Sequence, residues 1–135
     1  MKKTPLKRTS KIQNIKLRIQ ALLRAILLQK GAICAFDSYQ GESVRCAGVL
    51  QCDHKFSRSH NSTFADFSNL HLLCKAHNRW KHYYGEEARG FMDEIYGKRK
   101  MATLQKKAHK SYPMSKNEWL QKEAELKLKL AELER

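Results

Sequence analysis

Four cysteines limit how this chain of 135 residues can fold more than any other feature. The most apolar stretch, residues 19–28, is interrupted by polar side chains and lacks a cleavage site, so we expect no secretory signal and a reducing compartment. In such a compartment cysteines bind metal or stay free more often than they form disulfides. The spacing Cys74-Lys-Ala-His77, at the start of a predicted helix, is that of half a zinc site. The sequence therefore predicts a structural Zn²⁺ ion.

The remaining zinc ligands are less strongly fixed by spacing. Cys34 is the natural third ligand. The fourth is either Cys46, which follows a long loop, or Asp37, which stands three residues after Cys34. We favour Cys46 because thiolate is the commoner ligand in structural sites. Cys52 is interpreted as a small buried apolar residue.

The charge of the chain predicts a polyanionic partner. The chain carries 27 Lys and Arg against 13 Asp and Glu, a formal net charge of +14, and no acidic residue precedes Asp37. The excess lies within residues 1–112, because residues 113–135 hold five residues of each sign. Such a field concentrates nucleic acid. No apolar run reaches the roughly 18 residues of a membrane-spanning helix, so we expect a cytoplasmic protein with no membrane partner.

The first half of the chain is predicted to be mixed in secondary structure. Residues 1–11 are basic and acid-free and are interpreted as a flexible arm. Apolar residues at helical spacing predict an amphipathic helix over 12–29, ended by a glycine. Between Cys34 and His54 we expect a hairpin of two short strands, the second ending near His54. Residues 55–69 are polar and are interpreted as a loop.

The second half is predicted to be helical. A helix is expected from about residue 74 to 84 and another over 86–96, each closed by a glycine, with a basic connector over 97–114. Ser115 and Glu118 form the pattern of a capping box for a C-terminal helix in residues 113–135. An apolar stripe on that helix either packs on the body of the protein or pairs with a second copy as a homodimer.

Three features of residues 52–82 follow one another in a specific order. Asp53-His54 closes a predicted strand, Asn69-Leu70 follows a polar loop, and Cys74-x-x-His77-Asn78 opens a helix. Their order and spacing are far more specific than any one of them. The pattern resembles that of the HNH (ββα-metal) nucleases.

The resemblance implies a fold, an activity and roles for residues. It implies an α+β fold, with a small zinc-braced ββα-metal core and flanking N-terminal and C-terminal helices. The HNH nuclease domain, including the N-terminal helix, would cover residues 12–112. His54 would be the general base, Asn69 the brace of the loop and Asn78 the third catalytic position. Asp53, Asn78 and His82, which stands one turn after Asn78, would bind a catalytic Mg²⁺ or Mn²⁺ ion.

A closer resemblance covers residues 30–134. The run Arg58-Ser-His-Asn-Ser-Thr, then Asn69-Leu-His71, the Cys74-x-x-His77-Asn78 segment and the helical tail are similar to the NinG (Rap) recombination nucleases of lambdoid phages. That family has two C-x-x-C pairs, where this chain has Cys34-Ala-Phe-Asp37 and Cys74-Lys-Ala-His77. The resemblance implies cleavage of branched DNA, such as Holliday junctions and D-loops, during phage recombination in a bacterial host cell.

Independently of the family, these residue types suit phosphodiester hydrolysis. A neutral imidazole near pH 7 accepts a proton from water, and a carboxylate beside an amide binds a hard divalent cation. Basic residues around the motif are expected to contact the DNA backbone: Lys55, Arg58, Arg79 and Lys81. Two alternatives remain open, a zinc-dependent DNA-binding module without turnover and an HNH nuclease with sequence preference.

Overall fold

The computed structural model describes residues 10–39 and 44–135. This part of the chain has an α+β fold, as predicted, with helices on both sides of a two-stranded sheet. Its elements are α1 (Lys11–Gln29), β1 (Leu50–His54), α2 (Asn61–Phe64), β2 (Leu70–Cys74), α3 (Lys75–Tyr83), α4 (Gly85–Tyr96), α5 (Lys98–His109) and α6 (Lys116–Leu133). A single 3₁₀ turn, Phe67–Asn69, precedes β2. Among the described residues no helix has the length and apolar character needed to span a membrane.

The sheet is an antiparallel pair whose strands are separated by a long loop. In its register Asp53 lies opposite His71 and His54 lies opposite Leu70. The predicted strand ending near His54 is confirmed as β1, but its predicted hairpin partner is wrong, because β1 pairs with residues 70–74 and residues 44–49 form no strand. All five residues of β2 are buried, so β2 lacks the alternation that identifies a strand in sequence.

A first core joins α1, α6 and the sheet. The predicted helix over 12–29 is confirmed as α1, and the Ser10 side chain caps its N-terminus. The predicted capping box of Ser115 and Glu118 is present at the start of α6. The buried residues at the contact of the two helices are Ile15, Ile19, Leu23, Ile26, Trp119 and Leu126. The apolar stripe of α6 thus packs on the body of the protein, and dimerisation through this helix stays a prediction.

A second core surrounds Phe36, which is fully buried between α3, α4 and α5. The predicted basic connector is wrong over Lys98–His109, which forms α5. Its buried residues, Met101, Leu104 and Ala108, follow helical spacing, but the many charged residues between them conceal this pattern. Gly97, at φ 95°, separates α5 from α4 in a conformation that favours glycine.

The remaining predictions differ in outcome. Helices α3 and α4 agree with the expected helices to within a residue or two. The predicted loop over 55–69 contains α2 and the 3₁₀ turn. Most of the predicted N-terminal arm, residues 1–9, lies outside the described residues, and Lys11 is already helical.

Candidate functional site

Three cysteines and one histidine meet where the two strands join α3. Cys34 follows α1, Cys46 precedes β1, Cys74 ends β2 and His77 lies in the first turn of α3. Their ligand atoms all lie within 4.8 Å of one another. The Nδ1 atom of His77 is 3.5 Å from Sγ of Cys34, 3.5 Å from Sγ of Cys46 and 3.2 Å from Sγ of Cys74.

This Cys₃His cluster fits a metal such as zinc. In a tetrahedral zinc site, sulfur and nitrogen ligands lie about 3.6 Å apart, which is close to the separations found here. Backbone N–H groups donate to two of the sulfurs, from Cys74 to Cys34 and from His77 to Cys74, each at 3.4 Å. Burial lowers the pKa of His77, so its ring stays neutral and its nitrogen can bind metal. The cluster could therefore hold one structural ion.

The alternative fourth ligand lies beside the cluster. The thiol of Cys46 donates to Oδ1 of Asp37 at 3.4 Å, and the sulfur of Cys46 is the atom grouped with the other ligands. Cys52 is buried as interpreted from the sequence, and burial raises the pKa of its thiol to about 12. Cys52 therefore stays protonated and apart from the cluster.

A cleft of about 670 Å³ lies between α1, β1 and the start of α3. Four of the predicted site residues line it: Asp53, His54, Arg58 and Asn78. Gln20 and Arg24 of α1 form the opposite wall, and Nε of Arg24 donates to the Leu50 carbonyl at 2.7 Å. The cleft therefore brings motif residues of β1, α3 and the loop after β1 to one surface.

The imidazole of His54 is buried and held in one tautomer. Its Nε2 atom donates to the Phe64 carbonyl at 2.8 Å, and its ring packs against the Phe64 ring. Nδ1 is buried and has no hydrogen-bond partner among the described residues. Burial lowers the pKa of His54 more than the Phe64 carbonyl raises it. The result is a neutral imidazole whose unprotonated Nδ1 can accept a proton.

Asp53, which precedes His54 on β1, is anchored by side chains of β2 and α3. Its Oδ2 atom accepts from Nε2 of His71 and from Nζ of Lys81, each at 2.7 Å. Burial would raise the pKa of Asp53, but these two contacts outweigh it and hold that pKa below its usual value. Asp53 is therefore ionised and fixed in position.

The His71 ring is hydrogen-bonded to Tyr96 of α4. Its Nδ1 atom lies 2.7 Å from the hydroxyl of Tyr96, and burial raises the pKa of Tyr96 to about 12. Burial also lowers the pKa of His71, so its neutral ring donates to Asp53 and accepts from Tyr96. Nothing in the local sequence pointed to Tyr96, because it lies on a helix distant in sequence from β1 and β2.

Asn69 connects both ends of the loop between the strands. Its side chain is fully buried, with Oδ1 accepting from the Phe56 N–H at 2.8 Å. Its Nδ2 atom donates to the carbonyls of Phe56 and Thr63, both at 3.1 Å. These contacts match the bracing that the HNH resemblance implies for Asn69.

Asn78 and His82 lie along the same helix but differ in setting. Nδ2 of Asn78 donates to Oε1 of Gln51 at 2.8 Å, which leaves the Asn78 amide oxygen as an acceptor at the cleft. His82 is exposed and lines a shallower depression beside the cleft, together with Arg79. The predicted metal ligands Asp53 and His82 do not line a common cleft, and their shared role stays a prediction.

The four predicted DNA contacts are distributed over different surfaces. Arg58 lines the cleft and donates to Gln20 at 3.2 Å, and Arg79 is exposed beside it. Lys81 points inward, since its Nζ also donates to the His54 carbonyl at 2.9 Å. Lys55 lies away from the cleft, donating to the Ser68 carbonyl at 2.9 Å. Sequence reasoning missed the inward position of Lys81, which depends on the packing of α3 against β1.

Comparison with known proteins adds no family to this geometry. No protein-family model, curated protein or solved structure matches the chain. The resemblance to HNH and NinG nucleases rests on the sequence motifs alone.

Proposed function

We propose that the protein is a divalent-metal-dependent DNA endonuclease of the HNH type that hydrolyses phosphodiester bonds. The observation that carries the proposal is the state of His54. A buried histidine at a strand end, with one nitrogen bonded to a carbonyl and the other unpartnered, is prepared to accept a proton at a known atom.

In the proposed reaction, a water proton passes to Nδ1 of His54 as the water oxygen attacks phosphorus. The bond between phosphorus and one bridging sugar oxygen breaks, and that oxygen takes up a proton from solvent. Arg58, at the cleft, is positioned to hold a phosphate of the same strand. Burial of the imidazole keeps it neutral, which gives the base form at neutral pH.

Asp53 and Asn78 fit a hard divalent cation in donor chemistry, since one supplies a carboxylate and the other an amide oxygen at the same cleft. When bound, such an ion supplies charge to stabilise the phosphorane and the leaving oxygen. The contact of Asp53 with His71 fixes the direction of its carboxylate, as a partner behind a metal ligand does.

The order of elements also supports the proposal. The chain runs from β1 to β2 and directly into α3, and the loop between the strands is held by Asn69. The Cys₃His cluster ties the end of β2 and the start of α3 to two loops, so a Zn²⁺ ion there would brace this ββα unit.

Branched DNA of phage recombination is the proposed substrate on the basis of the NinG resemblance. The test is to incubate the purified protein with linear duplex, single strand, flap and four-way junction, each with Mg²⁺, Mn²⁺ or a chelator. We expect cleavage of the four-way junction with a divalent ion and none with chelator. Cleavage of none of the four DNAs under any condition would contradict the nuclease proposal.

One observation favours the alternative of a DNA-binding module without turnover. The Lys81 ammonium already neutralises Asp53, which reduces the demand of that carboxylate for a divalent ion. This alternative predicts that the protein binds the four DNAs and cleaves none of them. The substrate panel therefore separates the two functions directly.

A further inference from the structure

A second positively charged surface lies on α5, the helix that replaces the predicted basic connector. Residues 95–117 contain no Asp or Glu. Six basic side chains of this segment lie on α5 or at its C-cap, and all six are exposed: Lys98, Arg99, Lys100, Lys106, Lys107 and Lys110. Nothing in the proposed reaction at His54 uses them.

Four cations surround a groove beside α5. The groove has a volume of about 550 Å³, and its rim carries Lys55, Arg99, Lys100 and Lys107. The Tyr96 ring contributes to its floor, with Nζ of Lys55 lying 3.5 Å from the ring centroid. We call this surface the α5 groove. It shares no lining residue with the cleft of His54.

Two of these cations lack an acidic partner. Lys107 pairs with Asp66, and Lys55 donates to the Ser68 carbonyl. Within the described part of the chain, Arg99 and Lys100 form no ion pair. Their charges are therefore available to an anion from outside the protein.

The stability of α5 does not explain these charges. Residues 98–100 lie in its first turn, where the helix dipole disfavours cations, and that turn contains no acidic residue. Cations placed for helix stability would lie in the last turn, as Lys106 and Lys107 do. The basic first turn therefore indicates a surface that binds an anion rather than a contribution to helix stability.

The surface of α5 also indicates which kind of anionic partner it binds. Met101 and Leu104 contribute to the lining of the groove, but they and Ala108 are at most 7% exposed, so α5 has no protruding apolar face for insertion into a lipid surface. A concave groove with a basic rim instead suits a chain of phosphates, which Lys and Arg contact without reading bases.

We infer that the α5 groove binds the phosphate backbone of double-helical DNA, as a second contact surface outside the cleft. The inference rests on the proposed function for its choice of DNA as the polyanion, but it does not require cleavage. Binding at two separate surfaces would also explain why the excess charge extends beyond the HNH-like motif.

The test compares two double variants of equal charge change in DNA binding without added divalent ions. Arg99→Gln/Lys100→Gln removes both unpaired cations of the groove. The control, Lys116→Gln/Lys127→Gln, removes two exposed cations of α6 that line neither the groove nor the cleft. Affinity for a linear duplex is measured at several salt concentrations, and vesicles of anionic lipid serve as a second polyanion.

The groove variant is expected to lose about ten-fold in affinity at 0.1 M salt. Its slope of log K against log salt should become less negative by about 1.8, which is about 0.9 for each lost phosphate contact. The control should keep the wild-type slope. Equal slopes in both variants would overturn the inference but would not contradict the proposed nuclease activity.

Other outcomes are equally distinct. Groove-dependent DNA binding without cleavage of any substrate would support the inference and contradict the proposed nuclease. Binding to vesicles through Arg99 and Lys100, without binding to DNA, would overturn the inference in favour of a lipid surface. A wild-type protein that binds no DNA would overturn both.

Discussion

The buried imidazole of His54 determines when the proposed site is active. Its Nε2 atom is bonded to the Phe64 carbonyl, so only Nδ1 can exchange a proton with a substrate water. Burial lowers the pKa of His54 below the usual value of 6.5. The imidazole is therefore neutral at neutral pH, and the proposed role as a base predicts that its protonation stops cleavage.

The first prediction concerns pH. As far as His54 determines it, the single-turnover cleavage rate should be constant above pH 6.5. The rate should fall as the pH decreases through the lowered pKa of His54. Circular dichroism at each pH controls for unfolding. A midpoint above 6.5, or a rate that increases in acid, would contradict the role of His54 as the base.

At the scale of elements, the loop between β1 and β2 depends on one side chain. Asn69 is fully buried and uses both polar atoms of its amide on the backbone of that loop. The loop carries Arg58 to the cleft and Phe64 to His54. The hydrogen bonds of Asn69 therefore fix the loop conformation on which the position of the His54 imidazole depends.

The second prediction follows from this brace. Asn69→Ala should lower the free energy of unfolding by about 2–4 kcal/mol, because it leaves the Phe56 N–H and the Thr63 carbonyl without their partner. Urea denaturation measures the change. Asn14→Ala, at an exposed position of α1, is the matched control and should change stability by no more than about 0.5 kcal/mol. Equal effects of the two substitutions would contradict the bracing role.

The elements also show what could be predicted from sequence. Helix α1 and the capping box of α6 were predictable because an amphipathic period and a cap are local patterns. The strand β2 was missed because burial on both faces removes alternation, and α5 was missed because its charges conceal three buried positions. The sequence motif grouped Asp53 with Asn78, and both line one cleft, but the contacts of Asp53 with Lys81 and His71 depend on packing between elements.

At the scale of the whole molecule, two long-range connections hold the chain together. One is the contact of α1 with α6, where Trp119 is almost completely buried and Arg18 pairs with Glu123 at 2.6 Å. The other is the Cys₃His cluster, whose members come from three separate segments. A small domain commonly needs such a metal brace in addition to its core.

The third prediction tests the contact of α1 with α6. Trp119→Ala should lower the free energy of unfolding by about 3–5 kcal/mol, because it opens a cavity in the first core. Leu120→Ala, at a neighbouring residue that is 37% exposed, should have a much smaller effect in the same urea titration. A small effect of Trp119→Ala would mean that α6 contributes little to the fold.

The fourth prediction concerns the metal. Protein purified without chelator should contain about one zinc ion per chain, and Cys46→Ser should lose it. Cys52→Ala and Asp37→Ala should retain the ion, because neither side chain belongs to the cluster. Elemental analysis decides between these results. Absence of zinc from the wild-type protein, or its loss from Asp37→Ala alone, would contradict the assignment of ligands.

The central claim is that Nδ1 of His54 accepts the proton of the attacking water, and the most direct test is the single-turnover cleavage rate of His54→Ala with Mg²⁺ at saturating DNA. His60→Ala is the control, since its imidazole belongs to the same loop but lines neither the cleft nor the α5 groove. His54→Ala should cleave about 10²–10⁴-fold more slowly than the wild type while its DNA affinity stays within about two-fold, and His60→Ala should cleave at the wild-type rate. Cleavage by His54→Ala at a rate close to that of the wild type would contradict the account.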